Sequence, residues 1–372
     1  MKNKIAILGA AMAYLTPVTP VTYARSGVVG DLTRLKDAIV PEVFSEYIDI
    51  YTAEKSILVQ SGAMVVDPRL VQDLRGGGAT FNRPFFNDLA RVEENISADT
   101  GPDAVPNNIT TNKEVQVRLS RNQSWGSADL VSNLIGTDPM THIRNKVGGY
   151  WVDRLQAAFI ATAKGVFAGN DKPTDSNHVQ GDLTYDASGT AFEEGVTQFK
   201  ATSFVNAILT MGDRMNDLKL MAINSIVYGT MIKNDLIDFV KDSSGVTRIP
   251  TYMGRILIVD DSVPFDITTG KFETWLFAQG AFGFANGSPK VATEVTRNPL
   301  ANNGGGEELL VNRVEWVIHP VGHAYYGKGA PAGGPSNAAT SGNLAHADSF
   351  ERVFPERKQI KIARLITREL GV

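Results

Sequence analysis

Three pieces of one stretch decide the fold: RGGGATFNRPFF at 75–86, KEVQVRL at 113–119 and DPMTHIRNKVGGYWVDRLQAAFIATAKGVFAG at 138–169. The triplet Gly76-Gly77-Gly78 leads into Thr80 to Phe86, which favours an extended strand. Pro84 cannot donate to a ladder, so that strand belongs at a sheet edge or a bulge. Asn87 to Asn112 holds Gly101-Pro102, Pro106, several Asn and Asp residues and only scattered apolar ones, too few to bury a core alone. From Lys113 the pattern alternates and places Val115, Val117 and Leu119 on one face of a half-solvated strand. Together the two strands and their polar tip predict one extended hairpin. So long a loop would be out of place inside a compact domain, and a hairpin that projects from its domain removes the conflict.

Asp138 then suits an N-cap and Pro139 the first helical position. Met140, Ile143, Val147, Tyr150, Trp151, Leu155, Ala158, Phe159, Thr162, Val166 and Phe167 follow at steps of three and four. The spacing predicts one apolar stripe along about 45 Å of helix, ending at Gly169. Gly148-Gly149 lowers helix propensity by roughly 1 kcal/mol per residue and calls for a bend or a close backbone contact. A polar hairpin beside so long a helix is a poor enzyme pocket. It suits a part that reaches past its own domain to lock onto a neighbour.

Working outward, the 372 residues are 43% hydrophobic and 20% charged, an ordinary globular composition long enough for two cores. A net charge of −4 removes the simplest nucleic-acid argument, a basic face, without excluding a protein that encloses nucleic acid. The absence of cysteine rules out disulfides, thiolate zinc sites and Cys nucleophiles. Met1 to Ala24, with Lys2, Lys4 and the apolar run Ile5 to Leu15, imitates a secretory signal. Pro17 and Pro20 break a helix there, and an arm that packs on another subunit is the expectation. No later apolar run approaches the roughly 20 residues that span a bilayer.

Short helices are expected over 31–38 and from Pro41 to about Ser61. Beyond the long helix, 171–195 reads as a loop or weak hairpin. Phe199 to Leu218 reads as a helix, Leu220 to Tyr228 as extended and Thr230 to Val240 as a second helix. Strands are expected over Arg248 to Val259, Trp275 to Phe284, Glu308 to Tyr326 and Gln359 to Thr367, with a Gly/Ala/Pro/Ser-rich loop at 327–343.

Chemical motifs are sparse. No phosphate loop, His-Glu-x-x-His or Gly-x-Ser-x-Gly occurs. Ile7 to Ala13 lacks the three-glycine spacing of a nucleotide turn, and Tyr51 with Lys55 lies too near the start for a dehydrogenase pair. His319 and His323 flank Pro320 and Gly322 in a strand-like pattern with no third ligand, so a structural pair is favoured over a metal site. Asp260-Asp261 suits a turn, and Gly304-Gly305-Gly306 a hairpin turn. Glu93, Glu94, Asp99 and Asp103 lack calcium-loop spacing. Tyr150, Trp151, Phe159 and Phe167 read as core. No catalytic, cofactor-binding or metal-binding residue is assigned, no cofactor is expected, and the chain is not read as an enzyme.

These segments, in order, resemble the major capsid (coat) proteins of tailed bacteriophages, which have the HK97-like α+β fold. The resemblance rests on Ile39 to Phe44, Glu54-Lys55-Ser56, Ser61-Gly62, Gly77 to Asn87, Asp138-Pro139 with its helix, Tyr252-Met253-Gly254, Val259-Asp260-Asp261 with Pro264, Gly280 to Gly283 and Ile318 to Gly322. It implies an N-terminal arm and leading helix over 1–75, an extended-loop hairpin over 76–130 and a peripheral domain with the spine helix over 131–199. An axial domain over 200–305 and return strands to the peripheral domain over 306–372 complete it. It also implies hexamers and pentamers of the chain itself, closing an icosahedral virion capsid around double-stranded DNA without sequence-specific binding. Assembly in the bacterial host cytoplasm, a portal, and scaffold or decoration proteins as further partners follow from the same resemblance, with no membrane. Some relatives cross-link subunits through a lysine. Lys113 is the lysine of the proposed loop, and a plain solvated role is favoured for it. An encapsulin-like shell around protein cargo and a secreted or periplasmic globular protein are the competing readings.

Overall fold

The computed structural model describes residues 61–89, 92–97, 99–100, 103–175, 178–241 and 248–371. The expected arm and helices before residue 61, with Tyr51, Lys55 and Ile7 to Ala13, lie outside them.

β1 (Met64–Val66) leads to α1 (Pro68–Arg75). Asp67 caps α1 by accepting from the Arg69 amide at 2.9 Å, with Pro68 in the first turn. Leu70 and Leu74 stand one turn apart and pack against Ala285 and Val317. β2 (Thr80–Phe86) and β3 (Thr111–Val117) pair antiparallel, from Thr80 opposite Val117 to Phe86 opposite Thr111, and form a sheet of their own. Both strands are therefore edges, which is where Pro84 can stand. Leu119 is not part of this strand: it opens β4 (Leu119–Ala128). α2 (Asp129–Ile135) ends at Gly136, whose φ of +77° is the left-handed cap.

α3 (Pro139–Asn170) has 32 residues, about 48 Å of helix. Asp138 caps it as the sequence predicts, accepting from the Met140 amide and the Thr141 hydroxyl, each at 3.0 Å. Two expectations change. Gly169 does not end the helix, which continues to Asn170. The single apolar stripe is also not what forms. Between Thr141 and Ala157 no residue is fully buried, whereas Ala158 to Asn170 is buried almost all round. The C-terminal half is wrapped on several sides, so a periodic stripe describes only the first half.

β5 (Thr184–Asp186) precedes α4 (Ala201–Leu209). The helix expected to reach Leu218 stops early, because Gly212 takes a φ of +58° and the chain makes a 3-10 turn before β6 (Leu218–Ile223). α5 (Ser225–Lys233) starts before the expected Thr230, since Asn224 caps it by accepting from the Ile226 amide at 3.0 Å. Asp235, at φ +53°, separates it from β7 (Asp238–Lys241), where a helix was expected. β8 (Arg248–Tyr252), β9 (Arg255–Val259), β10 (Phe265–Asp266) and β11 (Lys271–Ala278) follow. The apolar run Trp275 to Phe284 breaks at Gly280 (φ +66°) into β11 and β12 (Phe282–Gly287). β13 (Thr293–Asn298) and β14 (Glu307–Pro320) are antiparallel partners, and Gly304 to Gly306 lies in their connection. Gly322 (φ +80°) parts β14 from β15 (His323–Tyr325). β16 (Phe350–Arg352) and β17 (Ile362–Arg368) complete the chain.

Two sheets organise the molecule. In the five-stranded one, β14 holds β12 and β13 end to end along one side and β4 along the other, with β1 outside β12. The eight-stranded one runs β5-β17-β11-β6-β9-β8-β7, with β10 on β11. The C-terminal strand was expected to share a sheet with the strand from Glu308. It pairs instead with β11 and β5. Its near-continuous apolar run, Ile362-Ala363-Arg364-Leu365-Ile366, is that of a strand covered on both faces.

The C-terminal half of α3 is the shared core element. Phe159 meets Phe277 and Phe282 at 5.8 and 4.8 Å, and Phe167 meets Trp275 at 5.7 Å, so one helix touches both sheets. Each such ring contributes roughly 1.5–3 kcal/mol on burial. A second core of Phe199, Phe204, Met221, Tyr252, Leu276 and Leu365 joins α4 and α5 to the eight-stranded sheet.

Candidate functional site

The hairpin has two parts with opposite character. Its stem is bolted to its own chain. Arg83 lies 3.3 Å from Asp67 and 3.7 Å from Asp73. Phe85 packs edge-on against Phe354 at 5.0 Å, and Asn112 donates to the Val353 carbonyl at 3.3 Å. At the base, Arg118 donates to the Leu74 carbonyl and sits 3.5 Å from Glu315. This corrects the expectation of a strand solvated on one face: Glu114 and Gln116 are buried along with Val115 and Val117.

The tip is the opposite. Gln359 donates to Asp88 at 3.1 Å, and beyond that point every described residue through Thr110 is exposed. Leu89, Val92, Ile96 (92% exposed), Val105 (81%) and Ile109, with Phe86 at the last stem position, all face solvent. Single exposed apolar residues are normal. Six in one segment whose described residues beyond Asp88 are all exposed set it apart from the rest of the surface.

A buried polar cluster fastens the stem. Glu114 accepts from the Gly322 amide at 2.9 Å and lies 3.5 Å from Nε2 of His319. Burial would raise the Glu114 pKa, but His319, the Gly322 amide and Arg83 outweigh it and hold the carboxyl below its ordinary value. Its contribution is thus present above the ordinary carboxylate range and lost as pH falls through the lowered pKa. Burial is also the main cause that drives His323 down to about 3, with Arg352 and His319 lowering it further against the Val321 carbonyl and Glu114. Between about pH 3 and 6.5 the unfolded chain then binds more protons at this histidine than the folded one. Acidification over that range removes up to about 1.4 kcal/mol per pH unit. Urea midpoints of unassembled protein should fall between pH 6.5 and 4.5, and His323→Gln should flatten that fall. Parallel slopes in the two proteins would contradict the assignment.

The other sequence candidates have structural duties. Asp260 accepts from Gln156 at 2.6 Å and from Ser262, while Asp261 accepts from the Ser225 amide at 2.9 Å. His319 and His323 stand at consecutive strand ends, and no cluster of three metal-ligating side chains exists among the described residues. Lys113 is exposed opposite Pro84 in the stem ladder. Glu93, Glu94, Asp99 and Asp103 lie on the exposed tip. Trp151 donates to Asn312 at 2.6 Å and contacts Tyr150 and Trp316, while Phe159 and Phe167 are core. No described helix is long and apolar enough to cross a membrane.

Sequence reasoning missed two helix glycines. A Cβ on Gly165 would strike the Leu344 carbonyl oxygen, and one on Gly169 would lie 2.7 Å from the Phe350 carbonyl oxygen. At Gly148, singled out from the sequence, a Cβ would meet open space. Helical spacing carries no signal that separates these positions.

Comparison with known proteins gives the following. No family model matches the chain. The major capsid protein of Bacillus phage SPP1 is 36% identical over 331 residues, 88% of this chain and 95% of that protein. Among solved structures, the cyanophage Pam1 capsid aligns over 81% of this chain and 88% of its own, at 11% identity and a TM-score of 0.49. The capsid of Ralstonia phage GP4 aligns over 78% and 84%, at 9% identity and 0.47. The sequence likeness spans nearly all of both proteins, and the hairpin, the long helix and the two sheets stand in the order described. The chain therefore belongs to the major capsid protein family of tailed bacteriophages, with the HK97-like α+β fold.

Proposed function

We propose that copies of this chain form hexamers and pentamers that close an icosahedral phage head around double-stranded DNA, each hairpin tip lying over a neighbouring copy. The observation that carries this reading is the tip itself: polar, exposed throughout its described residues, and studded with unpaired apolar side chains. Such surface is unfavourable in water and becomes favourable when another copy covers it. The stem's ties to α1 and its cap Asp67, to β15 and to Val353 and Phe354 hold the base from which the tip extends.

In this reading α3 is the spine of a peripheral domain built with the five-stranded sheet. The eight-stranded sheet with α4 and α5 forms an axial domain at the capsomer centre. The role is structural and not catalytic. The net charge of −4 suits a container that holds DNA without gripping it. Assembly would take place in the host cytoplasm, with a portal at one vertex and scaffold or decoration proteins as further partners.

Sedimentation and electron microscopy of the purified full chain test the reading. Large closed particles are expected. Only monomers and dimers across the concentrations at which related shells form would overturn it.

A further inference from the structure

We propose that His178 and His323 bind a divalent transition-metal ion of the zinc class, in the cavity between the C-terminal end of α3 and the β15–β16 pair.

The cavity measures about 70 Å3, room for an ion and the waters that complete its coordination. Gly169 and Asn170 of the last turn of α3 line it, as do His323 of β15, Arg352 of β16 and His178 from the loop that follows α3. The state of both rings follows from their partners. Nδ1 of His178 lies 3.0 Å from Oδ1 of Asp175. An ionised carboxylate only accepts, so Nδ1 carries the proton and Nε2 keeps a lone pair. That Nε2 is buried with no hydrogen-bond partner, in a side chain only 7% exposed. Nδ1 of His323 lies 3.3 Å from the Val321 carbonyl oxygen, which also can only accept. The proton is on Nδ1 there too, and Nε2 of this buried ring is left to accept. Two imidazoles on one cavity, each with Nδ1–H held by an oxygen, have the arrangement in which histidine ligates a metal. A buried lone pair without a donor costs free energy, and an ion at Nε2 removes that cost.

The surroundings favour a cation. The last turn of α3 is the negative end of the helix dipole. The cationic neighbours are already neutralised, since Lys172 has Asp348 at 2.6 Å and Arg352 has Asp182 at 2.6 Å. Asp175 and Glu351, both exposed, add negative charge beside the cavity. Imidazole nitrogen suits zinc, copper, nickel or iron better than magnesium or calcium. No third His, Cys, Asp or Glu joins the two rings among the described residues. Water therefore fills the remaining positions, and the affinity falls short of that of a closed four-ligand zinc site. The bound ion ties the loop after α3 to β15, against which the hairpin stem packs through Val115 and Ala324.

Calorimetric titration of the unassembled full chain with Zn2+ at neutral pH tests this. One ion per chain is expected, with the melting temperature raised by about 2–4 °C at saturation. His178→Gln should weaken binding about tenfold or more. Asp175→Asn keeps both ligands but loosens the hold on one ring, and should weaken binding by about 10–100-fold. His142→Gln and His346→Gln, outside the cavity, should bind as the unaltered chain does. His323→Gln should behave as His178→Gln does; if it fails to fold by circular dichroism, the two loop variants decide. No saturable uptake, uptake that survives His178→Gln, or uptake lost with His142→Gln or His346→Gln instead would overturn the site. Since the titration uses unassembled protein, its failure would leave the capsid reading standing.

Discussion

Deleting Glu93 to Asn108 is expected to leave a folded monomer that no longer closes shells. No described side chain in that segment is buried, so both cores and the stem survive. The deletion cuts the connection between β2 and β3 to about a third of its length. Shorter loops cost less to close, by about 1 kcal/mol for a threefold reduction, so the monomer should melt no lower than the unaltered protein. Assembly should fail because the removed residues carry Ile96, Val105 and four of the tip carboxylates. Circular dichroism and a thermal melt check the first half, and particle yield by sedimentation checks the second. Normal shells from the deleted protein would remove the tip from the assembly account. An unfolded product would show that the tip supports its own domain.

The second large effect concerns stability and has an unusual sign. Glycine to alanine inside a helix ordinarily stabilises by about 1 kcal/mol. Gly148→Ala should do so, because the added methyl enters open space. Gly165→Ala should do the opposite. Its methyl would occupy the position of the Leu344 carbonyl oxygen, a backbone atom in a loop pinned on both sides. Tyr325 donates to the Gly342 carbonyl at 2.7 Å, Ser349 donates to that of Asn343 at 2.7 Å, and Phe350 packs on Tyr325 at 5.6 Å. The loop must lift off α3 and open the core shared by both sheets. Overpacking of this kind costs typically 1–3 kcal/mol, and here it comes on top of the lost propensity gain. Urea unfolding of the two variants should shift in opposite directions. Equal shifts of the same sign would mean that the loop at 342–350 does not press on the helix.

Local chemistry made the hairpin and the spine legible. Pro84 belongs at an edge, Asp138-Pro139 announces a helix start, and a polar stretch without apolar spacing cannot hide. Each of these signals acts within a few residues. What the sequence did not reveal depends on partners far along the chain. Glu114 and Gln116 sit on the polar face of an alternating strand, yet β15 and the end of β14 cover them, which no local pattern reports. The C-terminal strand joined β11 and not β14, a choice between distant partners of similar apolar character. Helix limits failed where single residues took positive φ, at Gly212 and Asp235. The close-packed Gly165 looks no different from Gly148 in sequence, because the carbonyl it accommodates lies far along the chain, at Leu344. The exposure of the tip could be read from composition alone.

A reconstruction of the assembled particle at side-chain resolution tests the central claim most directly. Residues 88–110 should lie on an adjacent copy, with Ile96 and Val105 covered by it and the stem still seated on its own β15. A particle in which that segment stays in solvent, or folds onto the subunit that carries it, would contradict the account.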